Sequence, residues 1–364
     1  MCLLVLSGSG AAQAHLASDS YLRIEIGIDG RIAGQWDIAL RDLDVAVGLD
    51  SNQDGNITWG ELRARRTEVE AYAFGRLTLA SDGAPCRLVS TDLKVDYHAG
   101  SAYAVLPFAA DCPNTGRLTL HYRLLFDTDP THRGLLTVVA GGETGSDVLT
   151  PDHAEVALGE ALYPVRDQAA QFAAFGFEHI LLGYDHLLFV AMLLVTAALR
   201  RDSSGQWVPI DGLIRVLIET VKILTAFTVA HAIVLTLAVL GAVWAPERLV
   251  APAVAATIVV TALDNIYPVL PRLRWQVAFL FGLIHGLAFA GALAPMRLPP
   301  FRLAVGLGSF NIGIEAGQIA LALLLVPIVF CLRGEAAYRR FGAPAVSAAG
   351  MLLGAWWLIE RLSS

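Results

Sequence analysis

Charge is scarce in this chain: Asp, Glu, Lys and Arg make up 16% of 364 residues, where soluble domains run near a quarter. Together with 55% hydrophobic residues and a mean hydropathy of +0.56, that excludes a disordered chain and argues against an all-soluble one. No basic stripe or nucleic-acid motif is present, so no nucleic-acid partner is expected. Cysteine is sparse too, with four in all. Cys2 falls in an apolar N-terminal run and Cys331 in an apolar helix. Cys86 and Cys112 remain for a disulfide, which an exported domain permits.

The charge that is present is unevenly placed. Residues 1–168 carry 23 acidic and 13 basic side chains, whereas residues 169–364 carry 10 and 13. An acidic, polar half therefore precedes an apolar one. The opening MCLLVLSGSGAAQA, residues 1–14, ends in Ala12-Gln13-Ala14, the small-x-small pattern of a secretory signal. No basic residue precedes its apolar run, as a start truncated upstream would leave it. A signal, a disulfide and a membrane domain together fit the bacterial periplasm and inner membrane.

Within the polar half, 15–165, segments 21–28, 31–38, 75–81, 86–97, 101–108, 117–126 and 134–140 alternate apolar and polar residues between turn signals. That spacing predicts a β-sandwich. One insert breaks it. The window DSNQDGNITWGE, residues 50–61, places Asp50, Asn52, Asp54, Asn56, Thr58 and Glu61 at the ligand positions of an EF-hand loop, with Gly55 at its sharp turn. Ca²⁺ takes six or seven oxygens, and alternate side chains of a tight loop point inward. A lone exported loop of this kind is expected to hold structure, with affinity on the order of 10⁻⁴–10⁻³ M.

The apolar half, 169–362, shows six runs long enough to span the bilayer: 169–199, 222–244, 249–268, 274–295, 302–332 and 343–362. With the first domain outside, the inner loops hold nine basic residues and the outer loops and tail four (Arg248, Arg297, Arg302, Arg361). This agrees with the positive-inside rule and puts both termini in the periplasm. The expected architecture is a membrane all-α six-helix bundle preceded by an exported β-sandwich-like domain with an EF-hand helix-loop-helix insert.

Ionisable groups are costly in hydrocarbon, about 2.5–3.5 kcal/mol each on insertion scales. These runs nevertheless contain His179, Asp185, His186, His231, Asp264, His285 and Glu315. No Lys or Arg is expected deep enough to pair with the carboxylates. His179 and His186 are seven apart, which predicts one helix face two turns apart. Asn311, Glu315 and Gln318 share a face of their helix. Counting from helix ends, Asp185, His186, His231, His285 and Glu315 fall near mid-membrane. Imidazole with carboxylate suits Ni²⁺, Co²⁺, Zn²⁺ or Cu²⁺. Gly282 and Gly286, flanking His285, predict a close helix approach.

These motifs resemble the HupE/UreJ family of bacterial membrane proteins, most of all its branch with an N-terminal exported domain. HILLGYDHLLF (179–189), FTVAHAIVLTLA (227–238), ALDN (262–265), FGLIHGLAFA (281–290) and FNIGIEAGQIA (310–320) carry the resemblance. It implies transport of nickel or a related transition metal, with motif residues at His179, Asp185, His186 and His285. The chain departs from the pattern at Ala232, where Ser is common, and at Asp264, where Glu is. It also lacks the second His and following Glu that shorter nickel permeases carry around the His285 position. Two other readings stay open. An intramembrane zinc hydrolase acting on a lipid or lipid-anchored substrate would use His186, His231 and His285 as ligands, with Asp185 or Asp264 as base. A Ca²⁺-dependent periplasmic receptor or assembly factor would take the loop as central. The sequence leaves the oligomeric state open.

Overall fold

The computed structural model describes residues 18–98, 101–114, 116–159, 164–203, 205–267, 269–270, 274–293, 296 and 298–363. The expected signal, 1–14, lies outside them.

The first half builds β1 (Asp19–Ile26), β2 (Ile32–Ala39), α1 (Leu40–Val47), α2 (Trp59–Ala64) and α3 (Arg66–Phe74). After these come β3 (Leu77–Ser81), β4 (Ala84–Pro85), β5 (Arg87–Ser90), β6 (Lys94–His98), β7 (Ser101–Asp111) and β8 (Leu118–Tyr122). β9 (Arg133–Ala140), β10 (Glu143–Leu149) and β11 (Glu155–Leu158) complete it. One sheet runs β10-β9-β1-β2-β7-β5, with β6 also on β7; the other runs β11-β8-β3-β4. Every pairing in these two sheets is antiparallel except β1 with β9. Leu22, Ile24, Trp36, Ile38, Leu106 and Phe108 of the large sheet share one core with Leu77, Leu79, Leu120, Tyr122 and Leu158 of the small one. Cys86 and Cys112 are disulfide-bonded. The strand expected over 117–126 stops at Tyr122, and the chain turns through Leu125 at φ 58°.

The second half builds α4 (Val165–Leu182), α5 (Tyr184–Leu194), the hairpin β12 (Leu199–Arg201) and β13 (Trp207–Pro209), and α6 (Leu213–Val239). Then follow α7 (Glu247–Ile266), α8 (Arg274–Leu293), α9 (Pro300–Leu332), a π-helical turn (Tyr338–Gly342) and α10 (Ala343–Ser363). Among the described residues four helices are long and apolar enough to cross a membrane, and the bent pair α4–α5 makes five; α8 has a shorter apolar stretch. The helices associate as α4 on α9, α6 on α8 and α7 on α10. Glycine permits the close contacts. Gly176 of α4 lies against the Phe310 carbonyl, Gly313 of α9 against that of Ala173, and Gly282 of α8 against that of Phe227. Without water in the bilayer, such small-residue seams let dispersion forces hold helices together.

The two halves meet across the other face of the large sheet. Tyr21, Tyr103, Leu135 and Val148 pack with Phe172, Phe175, Leu307 and Phe310 of α4 and α9. Their chain neighbours Leu22, Ala104, Leu136 and Leu149 face the sandwich core. Both faces are thus covered, which is why β9 is buried over six successive residues, Arg133 to Val138. Thr137 donates to the Met296 carbonyl at 3.2 Å, and Arg133 pairs with Glu178 of α4 at 2.6 Å.

Through the sandwich runs a hydrogen-bond chain whose direction is fixed by its ends. Trp36 Nε1–H can only donate, here to Ser20 Oγ at 3.3 Å, and Ser18 Oγ donates to Asp42 at 2.9 Å. Between them Ser20 donates to Tyr122, Tyr122 to His132 Nε2, and His132 Nδ1–H to Ser18, each at 2.7 Å. Burial pushes the His132 imidazole down to about 3, keeping it neutral. Nearby, burial raises the Asp19 carboxyl to about 7, with Arg41 opposing.

A raised carboxyl stabilises the fold fully below its unfolded value of 3.8 and loses that contribution as pH rises through about 7. Across that window the wild type is expected to lose up to roughly 4 kcal/mol that Asp19→Asn retains. Denaturant titrations of the purified chain at a series of pH values check this, and parallel pH profiles for the two proteins would refute it.

Candidate metal centre

The site begins at a break. The run expected as one helix over 169–199 bends by 70° between α4 and α5, at Gly183. Gly183 takes an extended backbone, φ −74° and ψ 96°. His179 and His186 therefore do not lie two turns apart on one face, as the spacing predicts. The bend folds them together, with ring centroids 4.6 Å apart. Only glycine fits: a Cβ here would stand 2.5 Å from the His179 carbonyl oxygen and 3.3 Å from His186 Nδ1.

His186 is the hub. Its ring lies 5.0 Å from that of His285 on α8 and 6.4 Å from that of His231 on α6. Two imidazoles sharing a tetrahedral metal have centroids about 5 Å apart. Phe189, Phe227, Phe289 and Phe310 wall the cluster, Phe289 stacking on Phe310 at 4.5 Å and contacting His179 at 4.5 Å. Each imidazole keeps one buried nitrogen without a hydrogen-bond partner: Nε2 of His179, His186 and His231, and Nδ1 of His285. Buried polar atoms are ordinarily paired, so four such nitrogens in one apolar chamber point to a ligand.

Two rings have their tautomers set from behind. Thr257 Oγ1 donates to the Val254 carbonyl at 2.7 Å, so it accepts from His285 Nε2–H at 2.9 Å. The lone pair of neutral His285 is then on Nδ1. Asn311 Nδ2 donates to the Leu307 carbonyl at 2.8 Å, which turns its Oδ1 to accept from His231 Nδ1–H at 3.1 Å. His231 thereby offers Nε2. Outer partners of this kind orient metal-binding imidazoles. Among the described residues no three His, Cys, Asp or Glu side chains form a ready-made metal cage.

The acids are distributed differently. Asp185, in the first turn of α5, pairs with Arg361 of α10 at 2.7 Å, and its Oδ1 is buried without a partner. Glu178 pairs with Arg133. The expectation that no arginine reaches these carboxylates is therefore corrected. One arginine returns on the last turn of α10 and the other descends from the sheet, neither visible from hydropathy. Asp264 accepts from Val269 and Leu270 N–H at 3.0 and 2.9 Å, closing the end of α7 away from the imidazoles. Glu315 Oε1 accepts from Thr225 at 2.5 Å, and Thr228 donates to Gln318 at 3.1 Å. Asn311, Glu315 and Gln318 thus do face one neighbour, α6. Asn265 ties α7 to α5, donating to the Met192 carbonyl at 2.7 Å.

In the β-rich domain, residues 50–61 connect α1 to α2. Asp50 Oδ2 accepts from Gly55 N–H at 2.8 Å, and Gly55, at φ 82°, makes the sharp turn. Asp54 Oδ1 accepts from Asn56 N–H at 2.8 Å. Glu61 reaches back into the loop, accepting from Ser51 N–H at 3.0 Å and Thr58 N–H at 2.9 Å. Those bonds, first the Thr58 backbone's, lower its carboxyl to about 2.

Sequence reasoning missed Gly183, Thr257 and Arg361. A glycine three residues before a mid-membrane His was the available signal for the first. The others depend on which helices become neighbours.

A family model described as HupE / UreJ protein matches residues 156–361. No curated protein matches the chain.

Gly183→Val forces a β-branched side chain against the His179 carbonyl and is expected to destabilise the helical half by about 1–3 kcal/mol. Thermal unfolding of the detergent-solubilised protein measures it. An unchanged midpoint would show that the bend does not need glycine.

Proposed function

Because the chain belongs to the HupE/UreJ family, we propose that it is a permease for nickel, cobalt or a related divalent transition metal. The observation that carries this reading is the set of four imidazoles, each with one unpartnered buried nitrogen, on α4, α5, α6 and α8. Nitrogen donors with a carboxylate suit Ni²⁺ and Co²⁺, and also Zn²⁺ and Cu²⁺. A carrier must release what it binds, so ligands assembled from four helices serve better than a closed cage. His179, His186, His231 and His285 would hold the ion, with Asp185 supplying charge. Asp264 and Glu315 stand outside this shell, at the end of α7 and along the α6–α9 seam.

In this reading the protein sits in the bacterial inner membrane. α8 joins the other helices as a sixth span, and the β-rich domain and C-terminus are periplasmic. Loop 50–61 takes Ca²⁺ through Asp50, Asn52, Asp54, the Asn56 carbonyl, Thr58 and Glu61, and holds α1 to α2. A hydrolase would need a free carboxylate beside the imidazoles. Asp264 is engaged by backbone N–H groups, and Asp185 is held through one oxygen by Arg361, which favours transport.

Two tests follow. Reconstituted in proteoliposomes, the wild type should carry Ni²⁺ or Co²⁺, and His186→Ala should abolish the flux. Thr257→Val should weaken metal binding about 10–100-fold by freeing the His285 tautomer. No flux above the His186→Ala control would sink the permease reading. For the loop, millimolar Ca²⁺ should raise the melting temperature of the wild type and leave Glu61→Gln unmoved; equal responses would remove the calcium assignment.

A further inference from the structure

Arg361 stands where a cation carrier has an electrostatic problem to solve. It is on the last turn of α10, and its Nη2 donates to Asp185 Oδ2 at 2.7 Å. Nη1 donates to the Ala251 carbonyl of α7 at 3.0 Å. Both side chains are largely covered, 15% exposed for Arg361 and 23% for Asp185. Asp185 immediately precedes His186, the hub of the imidazole cluster. An unpaired carboxylate at this depth is costly, and a guanidinium does not lose its charge in a protein. Asp185 and Arg361 together add no net charge to the chamber.

The pairing is a single hydrogen bond rather than the two-pronged fork that makes arginine–carboxylate pairs strong. Asp185 Oδ1 stays buried and unpartnered. One oxygen of the carboxylate is thus held and the other is free, on the residue that precedes His186 in the chain. A divalent ion on those nitrogens and a guanidinium compete for the same negative charge.

We propose that Arg361 is a tethered stand-in for the transported cation. It neutralises Asp185 while the imidazoles carry no metal and yields the carboxylate when the metal arrives. The proposal rests on the reading of the imidazole cluster as a metal site. Arg361 is a positioning residue: it acts through Asp185 and weakens metal binding to keep release possible. Its loss makes the site bind better and transport worse, which is the reverse of what loss of a ligand or of a structural strut does.

The test is equilibrium binding of Ni²⁺ or Co²⁺ to the full detergent-purified chain, with flux in proteoliposomes. Arg361→Gln should tighten binding about tenfold and slow turnover. Arg361→Lys should stay near wild type. In an Asp185→Asn background, Arg361→Gln should no longer tighten binding. Should Arg361→Gln be unstable without metal, its metal-induced rise in melting temperature should exceed that of the wild type. Binding by Arg361→Gln equal to or weaker than wild type would overturn the proposal and leave the permease reading intact. So would tightening that persists with Asn at position 185. Absence of metal binding by the wild type would overturn both.

Discussion

In hydrocarbon no water answers a stray N–H or lone pair, so every polar group must find a partner inside the protein. The helical half is arranged around that requirement. Thr196, Asn265 and the Met192 carbonyl satisfy one another where α5 and α7 meet. Thr225 and Thr228 answer Glu315 and Gln318 between α6 and α9. Asn311 and Thr257 each answer one nitrogen of an imidazole. Against that background several buried atoms are left over, among them Glu315 Oε2, Gln318 Nε2 and Ser347 Oγ, but only the four ring nitrogens belong to one cluster of contacting imidazoles, and function is most economically sought there.

The same requirement explains what could and could not be seen in the sequence. Strands were legible because alternation survives wherever one sheet face meets the core. β10 and β11 were not, since Glu143–Leu149 carries little alternation of its own and Glu155–Leu158 is only four residues long. Loop 50–61 was legible because its side chains act locally. The histidines drew notice through their cost in hydrocarbon and through the family motifs that contain them. Their arrangement did not follow from spacing, because the 70° bend at Gly183 breaks the helix between His179 and His186. The partners of Asp185 and Glu178 are 176 and 45 residues away in the chain, respectively. Such pairings are decided by which helices and strands pack together, and a periodicity argument confined to one helix contains no information about them.

The two halves are also less separate than composition suggests. Tyr21 and Leu22 are neighbours in the chain yet belong to different cores, one shared with α4 and α9 and one with the sandwich. The large sheet is therefore a middle layer. Arg133 and Glu178 join it to α4 one residue before His179. The hydrogen-bond chain from Trp36 to Asp42 ends on α1, the helix that leads into loop 50–61. His132 of that chain immediately precedes Arg133, so α1 and α4 are joined by a short covalent and polar path.

The 70° bend at Gly183 has an electrical consequence as well as a steric one. An uninterrupted helix keeps its partial charges at its two ends, in the polar boundary layers. Breaking it inside the membrane brings a negative and a positive half-charge to the same depth. The last carbonyls of α4 are those that follow His179. The first amides of α5, around Asp185, present hydrogen. A cation and a carboxylate can then each be steadied by backbone that no substitution removes. The helix break therefore shapes the charge around His179 and His186 as much as the side chains do.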